Sequence, residues 1–324
     1  IQSIDTVNLR RERISRTITT AHWGALKESA ASFGVTPTAL LLAVFSEKLG
    51  DALAMDEYPI VITHANRFPV HEQIDEIVGP FASSNILVTP PTGLRSIKAR
   101  SKSLQSSLLK ILEFPLPDGV EVLRELKRRG GVSPDLTVPI VFTSLLGVYE
   151  LHRSHRESML WNKQIDFRNQ TPQVYIDHQI YESSEGLVLN FDVAVELLGH
   201  EFIDRVLGDY ADALTELAIR RLPSIKLSRS TGAIAASENS CAEARQDFAR
   251  FGLTEQQQSY VAARHVFNEG AIYYQEIDLE APDLRRLQFA LELVVSTHPM
   301  LAMNLSESGH QFHLGNPTAP KIYI

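Results

Sequence analysis

With 324 residues, 44% of them hydrophobic and 22% charged, the chain can bury a substantial core and has room for two domains. A formal net charge of −8, from 31 Lys and Arg against 39 Asp and Glu, argues against nucleic acid as a partner. No apolar run approaches a membrane span, no charged-then-apolar signal opens the chain, and a single cysteine, Cys241, allows neither an internal disulfide nor a zinc cluster, all of which fits the cytoplasm.

In chain order, the spacing predicts a short strand over 13–20 and then a helix from about His22 to Phe33. The apolar positions Trp23, Leu26, Ala30 and Phe33 of that helix recur at helical intervals. Thr36 and Pro37 supply an N-cap and a first-turn proline for the next helix. That helix runs to about Leu49 and is apolar nearly all round, so burial is expected. A strand over 58–63 leads into Asn66 and Arg67. Between 95 and 110 stand Arg95, Lys98, Arg100, Lys102 and Lys110, with no acidic residue among them. They read first as a solvated helix face. The alternative is a docking surface for an acidic partner, because charge complementarity speeds encounter. The punctuation of Phe114 to Gly119 marks a loop.

Two β-rich stretches follow, 137–144 and 169–179. Side chains alternate along a strand, so Val174 and Ile176 take one face of the second stretch while Gln173, Tyr175, Asp177 and Gln179 take the other. In the first stretch Phe142 opposes a face carrying Pro139, Val141 and Thr143. A carboxylate and a hydroxyl on two otherwise apolar strands are either hydrogen-bonded structural groups or reagents, and from spacing alone the structural reading comes first. The alternation over 187–193 predicts a hairpin partner for 173–179, which brings Asn190 or Asp192 near Asp177. A helix over about 200–218 buries a stripe that includes Phe202, Ile203, Val206, Leu207, Tyr210, Leu214 and Leu217.

Residues 220–247 have the composition of a linker, with no aromatic residue between Tyr210 and Phe248. Beyond them Thr254 and Gln257 can form a capping box, 272–279 reads as a strand, and a helix from Asp283 directs Leu284, Leu287, Leu291, Val294 and Val295 inward.

The run VPIVFTSLLG at 138–147, followed by TPQVYIDHQ at 171–179, resembles the C-terminal lobe of heterocyclization domains of nonribosomal peptide synthetases. These are condensation-domain relatives that make thiazoline and oxazoline rings. Asn66-Arg67 with His71, then Gly79-Pro80-Phe81, is similar to the family's upstream segments, and the order agrees across residues 1–219. LTEQQQSYVAARH at 253–265 and STHPMLAMN at 296–304 resemble the opening of an N-terminal lobe, so 248–324 is expected to begin a following domain. Together with a start at Ile1, that order suggests a piece cut from a longer synthetase.

The resemblance implies an α/β fold, a chloramphenicol-acetyltransferase-like lobe with a mixed sheet flanked by helices, plus a partial second lobe. It implies condensation of a carrier-bound acyl group with cysteine, serine or threonine, then loss of water to close the ring. Asp177 would be the carboxylate and Thr143 its hydroxyl partner, with Gln173, Ser144, Asn190 and Asp192 in support. No cofactor is bound directly. The reactants ride on phosphopantetheine arms of peptidyl or aryl carrier proteins, for which Arg95, Lys98, Arg100 and Lys102 would be the docking cations. The other partners are neighbouring synthetase domains and the N-terminal lobe that completes the site, whose Asp-x-x-x-x-Asp signature has no match in a suitable context here. An ordinary peptide-bond-forming condensation domain and a non-catalytic carrier-binding scaffold are the alternatives.

Overall fold

The computed structural model describes residues 11–67, 71–79, 81–91, 96–114, 118–133, 136–147, 164–171 and 173–220, and downstream 251–252, 257, 261, 272–277, 283–305 and 310–313. Its centre is a six-stranded mixed sheet in the order β1-β7-β6-β4-β2-β3. The strands are β1 (Arg11–Thr19), β2 (Pro59–Ala65), β3 (Ala82–Val88), β4 (Ile140–Ser144), β6 (Ile176–Ser183) and β7 (Gly186–Ala194). The middle strands β2, β4 and β6 are parallel, while β1, β7 and β3 run antiparallel to their neighbours.

Local chemistry explains the helices that cover one face. Thr19 caps α1 (Thr20–Phe33) by accepting from His22 N, and Gly34, at φ 71, ends it in the left-handed region. Thr36 caps α2 (Pro37–Leu53) by accepting from Ala39 N, with Pro37 in the first turn. As its composition predicts, α2 is buried nearly all round, between the sheet and α3 (Ile97–Glu113). The shorter α4 (Gly119–Arg128) is capped by Asp118, and α5 (Val195–Leu198) is a single turn after β7. The last helix of the lobe, α6 (His200–Ile219), buries Ile203, Val206, Leu207, Tyr210 and Leu214 against α1, α2 and β1. The core is continuous from Leu26 and Phe45 through Phe142 and Phe191 to Tyr210. The β6–β7 hairpin turns at Gly186, where φ is 136 and a Cβ would stand 2.1 Å from Ile18 O, so no side chain fits.

The predicted strand over 169–179 is in fact two. β5 (Gln164–Gln170) lies outside the six-stranded sheet and pairs antiparallel with β9 (Ile272–Ile277). Between β5 and β6 the chain turns: Val174 N–H donates to Thr171 O at 3.3 Å, and Gln173 takes a positive φ of 63. The alternation therefore starts at Ile176, and Gln173 belongs to the turn, not to a strand face.

Downstream, β8 (Phe251–Gly252), β10 (Met303–Leu305) and β11 (His310–His313) form a three-stranded sheet. Asp283 caps α7 (Leu284–Thr297), and Val295 is buried there as the periodicity predicts, but Val294 is exposed with Phe289 and Leu293. The linker expected over 220–247 lies, Arg220 apart, outside the described residues, and so does most of the helix expected after Thr254. No single helix among the described residues is long and apolar enough to cross a membrane.

Candidate active site

The face of the sheet away from α1, α2 and α6 carries an unbroken polar row. Ser15, Asn190, Gln179, Thr143, Thr63 and Ser84 are consecutive register partners, one from each strand. In the adjoining row Arg13, Asp192, Asp177 and Val141 are partners in turn. Thr143 thus sits directly beside Gln179 and diagonal to Asp177, on one face, as alternation predicts. Asp177 is only 6% exposed and accepts from Gln179 Nε2 at 3.4 Å, while Thr143 is half-buried.

The supporting groups are well partnered. Arg13 grips Asp192 with both prongs of its guanidinium, Nε to Oδ1 at 2.7 Å and Nη2 to Oδ2 at 2.5 Å. Ser15 Oγ donates to Asn190 Oδ1 at 2.6 Å, and Asn190 Nδ2 donates to the Tyr181 hydroxyl at 3.4 Å. Arg11 reaches the carbonyls of Val174 (2.5 Å) and Thr171 (2.9 Å), which ties the turn before β6 to the edge strand. Nothing local in the β1 sequence signals these arginines, whose partners lie at least 160 residues away.

Ser144 does not join this face. One residue beyond Thr143 it points to the helices, where its hydroxyl is 2.8 Å from Thr38 Oγ1 on α2. His178, one beyond Asp177, is likewise on the helix side. Its Nδ1–H donates to Asn190 O at 3.0 Å, inside a cage of Phe45, Phe142, Phe191 and Tyr210 rings. Burial pushes its pKa down to about 3, partly offset by that hydrogen bond, so the imidazole is neutral and structural.

The basic stretch also divides. Arg95 lies outside the described residues, and Lys98 and Lys102 are exposed on α3. Arg100 corrects the expectation: it is 1% exposed, with Nε donating to Ser46 Oγ at 3.2 Å and Nη1 to Pro90 O at 2.9 Å. Arg100 and Leu104, one turn apart, form the inward stripe of α3, so this arginine anchors the helix and is not on a docking surface. The upstream segments form a clasp, in which Arg67 lies 3.9 Å over the Phe81 ring and donates to the carbonyls of Ile74 and Ile77. Among the described residues no three His, Cys, Asp or Glu side chains are grouped to hold a metal ion.

No family model matches the chain. It is 30% identical over 195 residues to bacitracin synthase 1 of Bacillus licheniformis, covering 58% of this chain and 4% of that protein. Identity is 29% over 221 residues to pyochelin synthetase PchF of Pseudomonas aeruginosa, covering 66% and 12%. It is 30% over 207 residues to phenyloxazoline synthase MbtB of Mycobacterium tuberculosis, covering 61% and 14%. The chain therefore spans only a small part of each of these relatives. Among solved structures, the EpoB cyclization-docking bidomain of a nonribosomal peptide synthetase from Sorangium cellulosum matches with a TM-score of 0.54 at 30% identity, over 64% of this chain and 42% of that one. The synthetase FmoA3 matches with a TM-score of 0.55 at 25% identity, over 66% and 24%. The homologues of this chain are thus nonribosomal peptide synthetases of the heterocyclization and condensation type, and its six-stranded mixed sheet with flanking helices has the condensation-domain fold.

Proposed function

We propose that residues up to about 219 form the C-terminal lobe of a heterocyclization domain, which joins a carrier-bound acyl group to cysteine, serine or threonine and closes a thiazoline or oxazoline ring. The observation that carries this reading is the shared face of Asp177 and Thr143, with Gln179 the register partner of Thr143 and a hydrogen-bond donor to Asp177. Ring closure makes a bond from the side-chain sulfur or oxygen to the amide carbonyl carbon. The hydroxyl so formed must then leave as water, and the amide nitrogen must lose its proton. One carboxyl group can do both: protonated, it donates to the departing hydroxyl, and the resulting carboxylate takes the N–H proton. On this reading Asp177 is that group, Thr143 orients it or the departing hydroxyl, and Gln179 holds one carboxylate oxygen in place. Asn190 and Asp192 support from β7, and Gln173 is held in the turn that opens β6.

Phosphopantetheine enters on carrier proteins and not as a resident group. Lys98 and Lys102, exposed on α3 as Lys110 also is, are the cations that would meet an acidic carrier. A second lobe is needed to position both substrates, which is worth up to about 7–11 kcal/mol, so the chain on its own is expected to turn over neither substrate.

The test is mass analysis of carrier-bound product from the synthetase, where amide and ring differ by one water. Asp177→Asn or Thr143→Ala should lower ring closure by about 10²–10⁴-fold while amide still accumulates. Normal ring formation by both variants would sink the assignment, and loss of amide as well would point to a condensation role.

A further inference from the structure

We infer that Arg13 is a positioning residue that sets the proton affinity of Asp177 by neutralising Asp192, an inference that rests on the reading of Asp177 as the acid–base group. Asp177 and Asp192 are direct register partners on antiparallel strands, both nearly buried. Side chains so placed stand about 4.5–5.5 Å apart at their β-carbons, and like charges there repel. In a site with little water, such a pair of carboxylates holds one proton far above its ordinary pKa. A carboxyl held that way donates but does not release, and the cycle above needs both.

The sheet answers this repulsion from the other side. Arg13 on β1 is the register partner of Asp192 and grips both of its oxygens. The guanidinium fork matches a carboxylate in geometry as well as charge and does not lose its proton. Asp177 then borders a neutral pair, not a bare anion. The other groups on this face among the described residues fit that role. From β4 Asp177 meets Val141 and Thr143, which do not ionise in this range; on its own strand stand Gln179 and Tyr181, with Tyr175 in the preceding turn. From β1 the remaining charge is Arg11, committed to the Thr171 and Val174 carbonyls.

The experiment is a carbon-13 NMR titration of the Asp177 carboxyl in the 324-residue chain, with the signal assigned by its loss in Asp177→Asn. Arg13→Gln should raise the Asp177 midpoint by about one to three pH units, and Arg13→Lys, which keeps the charge but not the fork, should raise it less. Asp192→Asn alone leaves the guanidinium uncompensated and should move the midpoint down. The double variant Arg13→Gln/Asp192→Asn should return it toward the parent value, which no general loosening of the fold would do. If Arg13→Gln does not fold, the smaller rise in Arg13→Lys and the return in the double variant decide. An unmoved midpoint in Asp192→Asn, or a rise in the double variant as large as in Arg13→Gln, would overturn the inference. The ring-closure assay of Asp177→Asn fails or stands separately, so a wrong role for Asp177 and a wrong role for Arg13 give different results.

Discussion

On the helix-covered face of the sheet His178 lies among four aromatic rings and is held neutral, while one residue earlier, on the opposite face, Asp177 keeps company with Gln179, Asp192 and Arg13. At His178 the helix side suppresses the charge, because desolvation there is opposed only by a backbone hydrogen bond. The polar face assembles partners around its charges. Buried ion pairs contribute little net stability against a well-packed apolar alternative, so the Arg13–Asp192 pair is not explained by stability. One face therefore holds the lobe together, and the other pairs its charged and polar side chains with one another.

Truncation separates the two faces. Phe191 touches both His178 and Phe45 on the helix side, so Phe191→Ala should cost about 3–5 kcal/mol, read as a lowered urea midpoint. Equal losses from Phe191→Ala and Thr143→Ala would erase the distinction between the faces. Acid separates them as well. The unfolded imidazole takes a proton near 6.5, whereas the folded one does so only near 3. The unfolded chain thus binds more protons between those values, and stability present above pH 6.5 is lost as pH falls toward 3. The loss attributable to this group is about 3 kcal/mol by pH 4, and His178→Phe should flatten that part of a pH series of denaturation curves. A slope unchanged by the substitution would show that the imidazole is charged in the fold. The smallest effect belongs to the rim of the polar row. Ser15→Ala removes the hydrogen bond to Asn190 and should cost about 0.5–1.5 kcal/mol in the same measurement.

Much of this was legible in the residues. The threonine caps, the all-round apolar α2 and the alternation of β7 place their elements within a few residues, since each signal is local. Alternation also puts Asp177 and Thr143 on one face, but that they lie diagonally, with Gln179 between, depends on register. What escaped was non-local or hidden in a turn. Thr171-Pro172 punctuates the stretch 169–179, yet its β-branched and aromatic residues mask the positive φ at Gln173 that splits it. Arg100 reads as part of a charged run because its partners, Ser46 and the carbonyl of Pro90, belong to other segments. The grip of Arg13 on Asp192 is invisible for the same reason, and so is the pairing of β5 with β9.

The pairing of β1 with β7 also bears on how the lobe is made. Among the described residues the first strand of the sheet is paired with the last, and the Arg13–Asp192 contact spans 179 residues. At synthesis rates of about 5–20 residues per second, β1 waits roughly ten to forty seconds for its partner to be made. Once β7 is made, its hairpin with β6 is a local closure, whereas its pairing with β1 spans the length of the lobe and is intrinsically slower. A strand left unpaired that long invites the wrong neighbour. Arg11, Glu12, Arg13 and Arg16 give this one the charge that discourages such pairing. The arginines that hold the polar face in the finished fold are thus also the kind of charge that disfavours false pairing of an open edge.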